Sequence, residues 1–432
     1  MRTPSTLGSS VAWTTARPLP PPVGTRDLLP PEAASRRALV RDVAEVFELH
    51  GYALVTTPPF ELAETIERGL GADPRETLRF VDPETGEVSV FRPDLTVQVA
   101  RLVASGLVER PAPLRLYYEG HVLRARRGRA RRQRQVAQIG AECIGVAGAA
   151  GDAEIIALAS RSLERVGLAH RVELAVVPMV RALSGHLPPD CAARVTDALS
   201  RKDPRGVERA LADHHVEPRL TRAIVELESL MGGFDVLARA RALLEPFVPD
   251  HLRSIESLCD ALSLRGLSQR LRLDLGEVRG LDYYTGPSFA LLADGPGEAL
   301  GAGGRYDDLL GRFGRPMPAS GFAIDVDHLA LAIALQGRPQ RHELARVVIV
   351  GTNAAALADA LRAQQVRSAT LDSSMEAASA YAESWQLDAA ISIDEHVATI
   401  QWIGAHREQC TLSDLGTRLL AGHGRASAED RR

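Results

Sequence analysis

Hydrophobic residues recur along this chain with two periods, every third or fourth position in some stretches and every second position in others. The first helical stretch is "LLPPEAASRRALVRDVAEVFELHG", begun through Pro31 and stopped by Gly51, with Leu39, Val43, Val46 and Phe47 on one face. "YALVTTP" then reads as a strand. "EVSVF" alternates up to Phe91, and from Thr96 onward Val97, Ala100, Leu102 and Val103 fall at helical spacing. Residues 114–145 predict two strands around a basic loop, and "DAEIIALASRSLERVG" a helix capped by Asp152. The pattern is helical from about 175 to 265, with polar breaks at "LPPD", "RKDPRG" and "HHVEP". Strand patterns return in "LRLDLGEV", "YYTGPSFALLA" and "SGFAIDVD". Strands on both sides of a helical block predict an α+β fold, an antiparallel sheet carrying a helical insertion.

Beyond the linker "LQGRPQRHE" the pattern changes. There "ARVVIVGTN", "LDAAISIDE" and "VATIQWIG" read as strands, and "AAALADALRAQQ" and "LSDLGTRLLAG" as helices. Together they predict a small α/β domain over 340–425; "VIVGTN" lacks the three-glycine spacing of a dinucleotide turn. The expected organisation is a disordered leader over 1–23, a core over 24–335 and this C-terminal unit. A chain of 432 residues, 45 % hydrophobic and 25 % charged, fits such a division into domains. A net charge of −4 argues against a polyanion binder as a whole, leaving local patches open. Cys143, Cys191, Cys259 and Cys410 form no C-x-x-C pair, which speaks against a zinc site or a disulfide framework and fits a reducing cytoplasm. No run approaches 18 consecutive apolar residues, so no membrane span is expected. Lys202 is the only lysine, which excludes a Walker-type phosphate loop and a Schiff base elsewhere in the chain.

Candidate chemistry is concentrated in a few stretches. In "FRPDLTVQVARL" Asp94 stands where a strand gives way to a helix, and the commonest use of such an aspartate is as a helix cap. In "QVAQIGAECIG" Ala137, Ile139, Ala141 and Cys143 share a small apolar face, while Val136, Gln138, Gly140 and Glu142 share the other. A mid-strand glycine weakens a strand unless something approaches its backbone, and Gln138 and Glu142 on either side suit a small polar ligand. A solvated outer face is the competing reading. In "GEVRGLDYYTGPSF" two adjacent tyrosines point to opposite faces of a strand, with Arg279 and Asp282 nearby. "GAGGRYDDLLGRFG" reads as a glycine-rich loop before Arg305 and Tyr306. "LRARRGRARRQR" holds seven arginines between 124 and 134, either a solvated hairpin loop or an anion-binding surface. With no aromatic residue interleaved it is no single-strand stacking platform.

Together these stretches resemble the class II histidyl-tRNA synthetase fold, from about Gly24 to Leu329. "GTRDLLP" is similar to the approach to motif 1, and "LYYEGHVLR" with "QIGAECIG" to the motif 2 hairpin. "VRGLDYYTG" and "GAGGRYDDLL" resemble the two histidine-specific signatures. The resemblance implies a pocket for free histidine. In it the carboxylate for the α-amino group falls on Asp94, with Thr96 beside it, and the imidazole is held by Gln138 and Glu142. Tyr283 and Tyr284 wall the pocket, and Arg124 and Arg279 match the arginines that touch the carboxylate or the α-phosphate.

The departures from that pattern are informative. "LRAR" puts Arg126 where the synthetase string Phe-Arg-x-Glu has its glutamate. "GFAIDVDH" puts Asp325, Asp327 and His328 where Gly-Phe-Ala-x-Gly-x-Glu-Arg has its second glycine, glutamate and arginine. Near neutral pH a histidine does not supply the permanently charged fork of an arginine, and Asp325 brings negative charge towards a polyanion. Adenylation, which depends on positioning and charge stabilisation, is therefore expected to be lost, with no catalytic residue and no metal site left. With Asp94 in place of glutamate, "FRPDLTVQVARL" is similar to one branch, the regulatory subunits of ATP phosphoribosyltransferase, the first enzyme of histidine biosynthesis. The resemblance implies a cytoplasmic, non-catalytic subunit without cofactor that supports a short-form catalytic subunit and reports histidine for feedback. It further implies a homodimer within a hetero-octamer, with neither tRNA nor a membrane as partner. An active histidyl-tRNA synthetase and a stand-alone histidine sensor with another partner are the competing readings. The C-terminal unit resembles a decayed anticodon-binding domain.

Overall fold

The structure, a computed structural model, describes residues 19–71, 77–125, 133–278, 284–337, 345–394 and 396–429. Most of the expected leader, Arg126 with the centre of the arginine-rich loop, most of the linker, and Arg279, Asp282 and Tyr283 lie outside the described residues.

The core rests on a nine-stranded sheet. Its strands lie in the order Ala53–Leu54, Leu114–Leu123, Gln135–Ile144, Ala319–Asp325, Gly301–Arg305, Ser288–Leu292, Arg171–Ala175, Leu271–Asp274 and Met231–Gly232. Neighbours are antiparallel except for the first pair and the pair formed by Arg171–Ala175 with Leu271–Asp274. The helix Glu32–Leu49 starts directly after Pro31 and buries Val43, Val46 and Phe47, while Leu39 is only partly covered. The Phe47 ring meets those of Tyr117 and Phe322 edge-on at 5.6 and 5.7 Å, which presses this helix onto the sheet. Gly51 adopts the left-handed backbone, φ +80°, that ends the helical run.

The helical insertion holds Val177–Ser184, Pro189–Ser200, Pro204–Asp213, Pro218–Val225, Val236–Leu244 and Pro249–Ser263. Proline opens four of these helices, at the position where its missing N–H costs nothing. Lys202 ties the insertion to the sheet through Asp274, Nζ to Oδ2 3.2 Å, where the carboxylates of Glu173 and Glu277 also gather. A second sheet, Phe60–Leu62 with Val88–Phe91 and Leu78–Val81, precedes the helix Thr96–Ser105. The C-terminal unit is a five-stranded sheet in the order Arg367–Thr370, Arg346–Gly351, Ala389–Asp394, Val397–Trp402 and Arg407–Thr411, with its own apolar clusters. Among the described residues no helix is long and apolar enough to cross a membrane.

Several local expectations are corrected. Asp152 is not a cap: its helix, Gly148–Arg165, begins four residues earlier, and Asp152 turns inward to pair with Arg305 at 2.8 Å. The glycine-rich stretch is no loop but a central strand, Gly301–Arg305, because its neighbours crowd over a surface where side chains would not fit. Tyr284 lies before its strand, which starts only at Ser288, so the alternation read through the paired tyrosines does not apply. The C-terminal unit also contains Arg367–Thr370, Met375–Ser384 and Arg407–Thr411, whose polar or small residues carried no clear period.

Candidate functional site

Directly paired residues in a sheet share a face. The register therefore puts Tyr117, Ala141, Phe322, Gly303 and Phe289 on the face packed into the main core. The opposite face carries one row of Tyr118, Gly140, Ala323, Ala302 and Ala290, and another of Leu116, Glu142, Gly321, Gly304 and Ser288. Four adjacent strands thus offer a floor of small residues with one carboxyl on it. That carboxyl folds over Gly321, where a Cβ would lie 1.6 Å from Glu142 Oε2.

Glu142 is 1 % exposed. The Tyr118 hydroxyl donates to its Oε1 at 3.1 Å, and the buried Tyr306 hydroxyl donates to Oε2 in a short contact. Burial is the largest influence on the carboxyl and pushes its pKa up to about 8; hydrogen bonds from Tyr306, Thr96 and Tyr118 pull against this, and the charge of Asp94 adds to it. Asp94 accepts from the Val97 backbone N–H at 3.3 Å, so it does hold the start of the helix Thr96–Ser105. Desolvation nevertheless raises its pKa above the ordinary value, against hydrogen bonds from Val97 and Thr96 and the charge of Arg124. The hydroxyls of Thr96 and Tyr118 lie 3.4 Å apart, closing a ring around the two carboxyls. Tyr284 belongs to the same group, its ring lying over Gly304 and its pKa raised by burial, then by Asp94 and Glu142.

Asp94, Thr96, Glu142 and Tyr284 are thus brought together, with Arg124 close enough to act on Asp94. Gln138 lies one row beyond Gly140, opposite Gly120 and Asp325. Arg279 and Tyr283 fall outside the described residues. Sequence reasoning missed Tyr118 and Tyr306 as partners of Glu142. The signal for Tyr118 was its place in a strand two residues before Gly120, while Tyr306 stood only as the residue after the glycines.

The motif 3 positions are occupied with structural work. Asp325 caps the helix Val326–Leu335, accepting from the N–H groups of Asp327 and His328 at 2.9 and 3.1 Å. Asp327 pairs with Arg26 and Arg36 at 3.0 and 2.7 Å, and His328 Nδ1 lies 3.0 Å from the Ala299 carbonyl oxygen. The groove above them, about 740 Å³, sets Glu32, Glu298, Asp325 and Asp327 against Arg26 and Arg36. A polyphosphate would meet carboxylates there.

The family model described as histidyl-tRNA synthetase matches residues 24–329. The chain is 43 % identical to the ATP phosphoribosyltransferase regulatory subunit of Anaeromyxobacter dehalogenans over 72 % of this chain and 90 % of that protein. To the protein of the same name from Moorella thermoacetica it is 39 % identical, over 81 % of this chain and 90 % of that one. A crystal structure from Bacillus halodurans, described as an ATP phosphoribosyltransferase regulatory subunit/histidyl-tRNA synthetase, superposes with a TM-score of 0.76 at 30 % identity, covering 85 % of this chain and 97 % of the other. The two sequence relatives are named for a transferase's regulatory subunit rather than for the transferase. The chain belongs to the ATP phosphoribosyltransferase regulatory subunit family.

Proposed function

We propose that this regulatory subunit binds free histidine over the small-residue floor and conveys its presence to a short-form catalytic subunit whose activity it supports. The observation that carries the reading is Glu142, a nearly inaccessible carboxyl ringed by hydroxyls, with Asp94 as a second acid beside it. Near neutral pH histidine offers an ammonium, a carboxylate and a mostly neutral imidazole with one N–H to donate. Asp94 pairs with the ammonium, with Thr96 beside it. Glu142 accepts the imidazole N–H, and Gln138 adds a polar contact from the next row. Tyr284, with Tyr283, walls the ligand, and Arg124 and Arg279 lie towards its carboxylate. The bonds made by Asp325, Asp327 and His328 support the loss of adenylation, and with it of tRNA charging. A cytoplasmic homodimer within a hetero-octamer, and a C-terminal unit descended from an anticodon-binding domain, complete the reading.

Calorimetric titration of histidine into wild type and Glu142→Ala tests the pocket. Above about pH 8, where the Glu142 carboxyl is ionised, the substitution removes a charged hydrogen-bond partner worth roughly 1.5–3 kcal/mol and should weaken binding about 10- to 150-fold. Equal affinities would refute Glu142 as the partner of the imidazole. Histidine-dependent pyrophosphate exchange, expected to be absent, would if robust return the chain to the synthetases.

A further inference from the structure

Arg92 follows the strand Val88–Phe91 and is 8 % exposed. Its Nε donates to the His121 carbonyl at 2.7 Å, and its Nη1 to the carbonyls of Thr57 and Pro58 at 3.0 and 3.2 Å. Burial lowers its pKa, and among the described residues no carboxylate opposes that shift. The three carbonyls hold the guanidinium plane and leave Nη2 over Gly120, where a Cβ would lie 2.3 Å from it. Gly120 pairs with Gln138, one step along the hairpin from the Tyr118–Gly140 pair. Nη2 therefore lies on the floor side of the sheet, not on the core side. A desolvated guanidinium gains most from an anionic acceptor, since opposite charges attract more strongly out of water than in it.

We propose that Arg92 Nη2 is a further donor to the carboxylate of the bound amino acid, beside Arg124 and Arg279, so that a free carboxylate is a condition of binding. The inference rests on the reading that histidine lies with its imidazole at Glu142. Glu142 and Gln138 are four residues apart, about 13 Å of strand. A histidine with a hydrogen bond at each end spans a comparable length. Its main-chain end then passes Asp94 and arrives at the Gly120–Gln138 row, with the ammonium on one side and the carboxylate under Nη2.

The test is a titration of the full chain with L-histidine and with histidinol, the alcohol analogue that lacks the carboxylate. Wild type, Arg92→Gln and Gly120→Ala are compared. The alanine methyl would meet Nη2 at 2.3 Å and Cζ at 3.1 Å, so the rigid guanidinium moves as a whole with its charge kept, and this variant decides the question if Arg92→Gln does not fold. Wild type should prefer histidine. Both variants should lose on the order of 10- to 100-fold in affinity for histidine and little for histidinol. Equal weakening of both ligands, or unchanged histidine binding, would make Arg92 a scaffold residue and overturn the inference. A wild type that binds neither ligand overturns the histidine reading itself, a result distinct from lost discrimination in the variants.

Discussion

Replacing Glu142 by glutamine keeps the shape of the side chain and removes its proton equilibrium. In the folded chain the carboxyl titrates at about 8, against an ordinary value of 4.5, chiefly because burial disfavours the anion. Between those two values the unfolded chain carries a carboxylate and the folded chain a carboxylic acid, so folding takes up a proton. The stability linked to that proton is fully present below 4.5, falls as pH rises and is gone once pH passes about 8. One proton changes stability by about 1.4 kcal/mol per pH unit. From about pH 6 to about pH 7.5 wild type should therefore lose roughly 2 kcal/mol relative to Glu142→Gln. Trp385 and Trp402 belong to the C-terminal unit, so their fluorescence would follow the wrong region. Amide hydrogen exchange of the strand Gln135–Ile144, read by mass spectrometry without histidine, follows the right one. Intrinsic exchange cancels between the two proteins. A wild-type-to-variant difference that does not change with pH would mean that the hydroxyl ring holds an anion, and the argument from burial would fail.

Two further substitutions probe the floor and the lost nucleotide half. Gly140→Ala sets a methyl 2.4 Å from the Phe322 carbonyl oxygen and 2.6 Å from the Tyr118 hydroxyl. It should cost about 1–3 kcal/mol by overpacking and also weaken histidine binding, measured by hydrogen exchange and calorimetry; wild-type values for both would show a floor able to yield. His328→Arg should not restore histidine-dependent pyrophosphate exchange, because Asp325 still caps the helix and Asp327 still holds Arg26 and Arg36. Exchange in that variant would reduce the lesion to one side chain.

Alternation in Gln135–Ile144 was enough to assign both faces of that strand, since Ile139, Ala141 and Cys143 are all buried in the main core and Glu142 lies opposite. Most of the antiparallel sheet and the helical insertion were legible for the same reason, each element carrying its own period, but the central strand Gly301–Arg305 was not, because its glycines carry no period. Tyr118 and Tyr306 were not, because their meeting at Glu142 depends on the register between strands far apart in sequence, and periodicity describes one strand at a time. Asp152 misled because an acid before an apolar run has the form of a cap, while Arg305, which draws it inward, comes from a distant strand. At Asp94 the local reading was sound but incomplete: it bonds the Val97 N–H and also stands beside the second acid of the floor.

The pair between Lys202 and Asp274 gives the molecule an unusual chemical address. The lysine side chain is 45 % exposed and the aspartate 3 %, so the ammonium can be reached from solvent while its partner cannot. As the chain contains no other lysine, an amine-directed acylating reagent finds one side chain per subunit. Acylation removes the charge that faces Asp274, and it leaves its tag where the insertion meets the sheet. A fluorophore placed there reports on that joint alone.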